Sequence, residues 1–119
     1  MNFQQAMELA TNTASDINRG ECPVRRTGLI LLVYGDANDD ALPAITTKVG
    51  ESEKPTDGNG LAQYVPLTAG PYKAHVTKPV DRADLIAPPD DDVNVASGVC
   101  SVHAMRLPLG RLPKIKPAS

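Results

Sequence analysis

Thr56-Asp57-Gly58-Asn59-Gly60-Leu61-Ala62-Gln63-Tyr64-Val65-Pro66-Leu67-Thr68-Ala69-Gly70-Pro71-Tyr72 is the stretch that decides how this chain folds. Asp57-Gly58-Asn59-Gly60 demands a tight turn, because Gly and Asn reach positive φ at little steric cost. Residues 61–67 follow as a short strand in which Tyr64 and Leu67 can face a core. Ala69-Gly70-Pro71 makes a corner. Tyr72-Lys73-Ala74-His75-Val76-Thr77 then alternates, which sets Tyr72, Ala74 and Val76 on one face.

The flanks continue in the same style. Upstream, Gly28-Leu29-Ile30-Leu31-Leu32-Val33-Tyr34 reads as a buried strand, residues 35–40 as a turn cluster, and residues 43–49 as a β-branched second strand. Polar residues 50–60 read as a loop. Downstream, residues 79–92 form an acidic, Pro-bearing connection with room for one short strand at Leu85-Ile86. Residues 93–96 and 99–107 complete the sheet, with Ser97-Gly98 expected as a hairpin turn. Ahead of the strands, Phe3, Ala6, Met7, Ala10, Ala14 and Ile17 recur at helical spacing, and Asn18-Arg19-Gly20 would end the helix. Its apolar stripe would pack on the chain's own strands or dock a partner. The expected organisation is a helical extension over 1–22, a β-sandwich over 23–107 and a basic, Pro-rich tail over 108–119.

Composition agrees. A chain of 119 residues is one domain's worth. With aromatics at 3%, no Trp and Phe3 the one Phe, the core must be aliphatic. Eleven Pro and nine Gly favour turns over long helices. A net charge of −2 supplies no field to draw the chain onto nucleic acid. Cys22 and Cys100 are too few for a disulfide framework or a structural zinc site. Whether they pair depends on geometry the sequence does not show. The first residues do not read as a Sec signal peptide. The apolar run from Leu29 to Tyr34 is far shorter than the roughly 20 residues of a membrane helix. The expectation is a protein made in the cytoplasm, not inserted in a membrane, and exported, if at all, by a route that needs no signal.

This order of strands and turns resembles the prealbumin-like (transthyretin-like, carboxypeptidase regulatory-like) superfamily. Three stretches carry the resemblance: Leu31-Leu32-Val33-Tyr34-Gly35-Asp36 with Leu42-Pro43-Ala44, the stretch quoted first, and Val93-Asn94-Val95-Ala96-Ser97-Gly98. It covers about residues 29–107 and implies an antiparallel β-sandwich of about seven strands, here with a short N-terminal helix. Such a fold hosts many activities, so function has to be argued from residues.

The enzymes of related fold are not matched at their working positions. Hydroxyisourate hydrolases carry a His in the first strand and end in Tyr-Arg-Gly-Ser; this first strand has no His and the chain ends Lys116-Pro117-Ala118-Ser119. Intradiol dioxygenases hold iron with two Tyr and two closely spaced His, whereas His75 and His103 lie far apart in sequence. Alternation sets His75 opposite Tyr72, on a solvated face. Cys100 and His103, three apart on one strand, point to opposite faces and cannot form a nucleophile–base pair. The turn at Asp36 lacks the Gly and Glu of a calcium loop, having Ala41 and Thr47 instead, and Asp90, Asp91 and Asp92 read as solvated turn acids. The Lys–Asn isopeptide of pilus-type relatives needs a Lys in the first strand, and none is there.

The reading is therefore a non-catalytic interaction or scaffolding module with a protein partner, no metal and no cofactor. Residues 22–34 also resemble the opening of VasX-type toxins of type VI secretion, which implies an accessory, adaptor or effector role in a bacterial secretion or phage-like assembly. Candidate partner-binding residues are Phe3 and Met7 on the helix and Arg106, Arg111, Lys114 and Lys116 towards the C-terminus. A homodimer through edge strands would cover exposed edges. The alternative from another class is a transthyretin-related small-molecule-binding protein or hydrolase working as an oligomer.

Overall fold

The computed structural model describes residues 2–35 and 38–110. Helix α1 (Phe3–Asn18) starts where Asn2 and Gln5 each accept a hydrogen bond from the other's backbone N–H, at 2.8 and 3.0 Å, a capping box. Thr13 is accommodated mid-helix because its hydroxyl donates to the Leu9 carbonyl at 2.8 Å. A single turn, α2 (Pro23–Arg26), leads into β1 (Gly28–Gly35). Then come β2 (Asp40–Ala41), β3 (Thr46–Val49), β4 (Ser52–Pro55), β5 (Leu61–Tyr64), β6 (Gly70–Thr77), β7 (Asp91–Val95) and β8 (Cys100–Leu107).

The strands form two sheets. In the first, β1 is central, with β8 along one edge and β5 and β2 sharing the other. The second runs β4-β3-β6-β7. Leu29, Leu31 and Val33 face the second sheet, where Val49, Ala74, Val76, Val93 and Val95 meet them. Ile30 and Leu32 face the other way and are covered by Ala6, Ala10 and Ala14 of α1. The three alanines recur every four residues and let the helix lie close on the sheet. The molecule thus has three layers, and the continuous apolar run of β1 records burial on both faces.

The all-β sandwich with an N-terminal helix is as the sequence implied, and four details differ. Ladders are antiparallel except β1–β8, which is parallel from Gly28↔Cys100 to Gly35↔Leu107. Ser97-Gly98 is not a hairpin turn, because β7 and β8 belong to different sheets and the chain crosses between layers there. Arg26 Nε and Thr27 Oγ1 hold that crossing by bonding the Gly98 carbonyl and N–H at 2.5 and 2.6 Å. The polar stretch after Gly50 contains a strand, β4, whose four residues are all exposed and pair with β3. Pro108, Leu109 and Gly110, expected in the tail, are held against residues 84–86: Ile86 N–H donates to the Pro108 carbonyl at 2.9 Å and Leu109 bridges Leu85. The rest of the tail, and Asp36 and Ala37 of the first turn cluster, lie outside the described residues.

The opening stretch owes its shape to a few polar contacts. Asp57 Oδ1 accepts from the N–H groups of Asn59 and Leu61, and Gly60 takes φ 80°. A Cβ on Gly60 would sit 2.8 Å from that of Ala41. Buried Thr56 donates its hydroxyl to the Leu42 carbonyl at 2.7 Å and accepts from Ile45 N–H at 2.9 Å. It thereby fixes the turn in which Ala44 is held at φ 59°. Thr47 Oγ1 donates to the Lys54 carbonyl at 2.7 Å, which leaves the Tyr64 hydroxyl as donor to Thr47, also at 2.7 Å.

Two predictions follow from these contacts. Thr56→Val keeps the volume but strands two buried backbone groups, and should cost about 2–4 kcal/mol in urea unfolding with an unchanged m-value. A loss near zero would show that the turn does not depend on the hydroxyl. Burial pushes the Tyr64 phenol above its ordinary value. Its neutral form is favoured in the folded chain, so its contribution is whole below about pH 10 and is lost as pH rises through the raised value. Wild type should therefore lose stability above about pH 10 more steeply than Tyr64→Phe. Parallel curves for the two proteins would refute this.

Candidate functional site

The chemistry-bearing side chains gather along one side of the sandwich, where the edges β7 and β8 approach each other, yet each has its own partner. Asp90 Oδ1 lies 2.7 Å from His75 Nδ1 on the outer face of the second sheet. Asp91 Oδ2 lies 2.8 Å from His103 Nε2, a contact that ties β7 to β8 across the gap between the sheets. Asp92 accepts from Lys73 Nζ at 2.6 Å, and this contact raises the lysine's pKa. Consecutive strand residues point in opposite directions, so Asp91 turns away from Asp90 and Asp92, and those two go to different residues of β6. Among the described residues no three His, Cys, Asp or Glu side chains converge on a point where a metal ion could sit.

The tyrosines are equally dispersed. Tyr34 stacks at a tilt on Phe3, ring centroids 4.3 Å apart. Tyr64 is in the core beside Thr47, and the Tyr72 hydroxyl donates to the Thr68 carbonyl at 2.5 Å. Cys22 is exposed and Cys100 buried, both as free thiols. Cys100 lies under α1, and burial raises its pKa, holding it away from the thiolate that a nucleophile needs. His103 is committed to Asp91 on the opposite face. The inward positions of the neighbouring strands β1 and β8 include Leu29, Leu31, Val33, Met105 and Leu107, with no amine–amide pair to cross-link.

Of the residues expected to meet a partner, Phe3 and Met7 are partly buried against the protein's own first sheet, so the stripe of α1 faces inward. Arg106 is on the outer face of β8, its Nε 2.7 Å from Asp39 Oδ1. Arg111, Lys114 and Lys116 lie outside the described residues. Two shallow clefts open at opposite ends of the sandwich. One, about 480 Å³, is lined by Pro23, Val24, Pro66, Leu67 and Ala69 among others and holds no titratable side chain. The other, about 370 Å³, includes Asp81 and Arg82 beside Ala44 and Leu85.

One contact had no counterpart in the sequence reading. Asn18, read there as part of the helix stop, donates from Nδ2 to the Cys100 carbonyl at 3.0 Å and accepts from Cys100 N–H at 2.7 Å. Its amide stands where the peptide group of a neighbouring strand would. No local pattern signals a contact between residues so distant in the chain.

No protein-family profile matches this chain, and neither does any curated protein sequence. Its shape does match solved structures. It resembles the minor pilin of the Gram-positive pathogen Streptococcus agalactiae, with TM-score 0.64 and 14% identity over 77% of this chain and 48% of the pilin. The TIE protein of Bacillus anthracis matches with TM-score 0.60 and 16% identity over 70% of this chain and 16% of that protein. BcpA, the major pilin subunit of Bacillus cereus, matches with TM-score 0.56 and 14% identity over 71% of this chain and 31% of BcpA. The chain spans about half the length of the first of these and less of the others. At such identities the likeness is one of fold: a β-sandwich of the kind found in pilin subunits. It does not extend the prealbumin-like resemblance beyond the sandwich and gives the VasX-like one no support.

Proposed function

We propose that this chain is a non-catalytic structural or adhesive β-sandwich module that works by holding another protein. The observation that carries this reading is how the reactive groups are committed. Both histidines are engaged by separate aspartates, Tyr64 by Thr47, and the Cys100 thiol by the packing of α1. Catalysis needs at least a nucleophile or base aimed together with a partner group into a space that a substrate can enter. Here such groups are spread over different faces, and the larger cleft is lined by apolar and hydroxyl side chains. The pilin subunits of like fold point the same way, towards a module within an assembly rather than an enzyme. A role in type VI secretion draws no support from these neighbours.

Incubation of the purified full chain with hydroxyisourate, aryl esters and catechols should give rates equal to buffer. A rate above buffer that is abolished by His103→Ala or by Cys100→Ser would overturn the reading.

A further inference from the structure

An asparagine side chain can react with its own main chain. The backbone nitrogen of the next residue attacks the side-chain carbonyl carbon and closes a five-membered ring. A glycine in that next place leaves the nitrogen unhindered, since it has no Cβ. Of the asparagines in this chain, Asn59 alone is followed by glycine, and it lies in the turn that decides the fold.

The two reacting groups are held very differently. The Asn59 side chain is exposed, and its amide makes no hydrogen bond among the described residues. The nucleophile is engaged: Gly60 is buried, and its N–H donates to the Asp57 carbonyl at 3.0 Å. Its own carbonyl accepts from Val33 N–H of β1 at 2.9 Å. Asp57 also grips the turn through its side chain, with Oδ1 accepting from Asn59 N–H at 2.8 Å and Leu61 N–H at 3.1 Å. Asp57 itself precedes Gly58, but its carboxylate is engaged by those two N–H groups, and a carboxylate is a far poorer target for a nitrogen than an amide. For the Gly60 nitrogen to attack, it must lose its proton and swing towards the Asn59 side chain. Both movements break its bond to Asp57.

We propose that Asn59-Gly60 is a site of spontaneous conversion of asparagine to aspartate and isoaspartate, held shut by Asp57 in the folded turn and opened when the turn loosens. The Gly60 nitrogen bonds to Asn59 Cγ, the Cγ–Nδ2 bond breaks, and ammonia leaves with the proton lost from the Gly60 nitrogen. Water then opens the cyclic imide at either carbonyl. One product is aspartate; the other is isoaspartate, in which the main chain runs through the side-chain carboxyl and is longer by a methylene group. That extra length falls just before Gly60, where a Cβ would already sit 2.8 Å from that of Ala41. It also falls at the start of β5, whose Leu61 is in register with Leu32 of β1. The modification therefore records, in covalent form, that the β1–β5 end of the first sheet has opened. The proposal does not depend on the partner-holding role above, since it uses only the turn and water.

The test incubates the full chain at neutral pH and follows Asn59 by peptide mapping, with an isoaspartate-specific methyltransferase to locate the product. Each rate is taken relative to the same chain unfolded in urea, which removes any direct effect of a substitution on the chemistry. Folded wild type should convert about tenfold or more slowly than in urea, because reaction waits on local opening. Asp57→Ala should erase most of that difference while the circular dichroism spectrum stays that of wild type, and Asp57→Ser, which keeps an acceptor at the turn, should restore part of it. Val76→Ala, which weakens the core far from the turn, should stay slow. Equal rates for folded and unfolded wild type would sink the proposal. So would an Asp57→Ala chain as slow as wild type, or a Val76→Ala chain as fast as Asp57→Ala.

Discussion

A strand with large apolar side chains on both faces must be covered twice, and β1 is such a strand. Leu29, Leu31 and Val33 require one layer, which the second sheet supplies. Ile30 and Leu32 require another, which α1 supplies. The helix is therefore a wall of the core. Without it, Ile30, Leu32, Leu61 and Cys100 would meet water, at about 25 cal/mol for each Å² of apolar surface exposed. The same constraint explains why Phe3 and Met7 turn inward and why the buried positions of α1 are alanines: a central strand flanked closely by β5 and β8 leaves room for a helix that approaches tightly.

Because β1 holds β8 in parallel, the chain has to change sheets between β7 and β8, and that crossing exposes two edges side by side. Polar contacts bind this side together. His103 reaches Asp91 from one sheet to the other, Arg26 and Thr27 hold the Gly98 crossing, and Asn18 closes the first outward rung of β8. His103, a side chain that could have served chemistry, is engaged in holding the two sheets in register.

Much of this was legible locally. The helix ended where Asn18-Arg19-Gly20 said it would, and β1, β5, β6 and β8 followed their apolar patterns, because burial leaves a periodic mark on sequence. The β4 strand left no such mark: all its residues face solvent, and a ladder made by peptide groups does not care which side chains it carries. Ser97-Gly98 looked like a hairpin because a tight turn has the same composition whether the next strand pairs alongside or crosses to the other sheet. The candidate site was less legible still. The sequence showed two histidines and three consecutive aspartates, but their pairing into His75–Asp90 and His103–Asp91 depends on strands far apart in the chain.

The sequence by itself determined the helix and the apolar strands, the aliphatic core and the turn at Asp57-Gly58-Asn59-Gly60, since each rests on properties of neighbouring residues: side-chain period, φ preference and hydrophobicity. Only the tertiary structure decided which strands lie side by side, that β8 runs parallel to β1, and that Asn18 reaches Cys100. Those are choices among arrangements with nearly equal local energies, and they are made by the long-range requirement that every apolar face find a cover and every buried peptide group a partner.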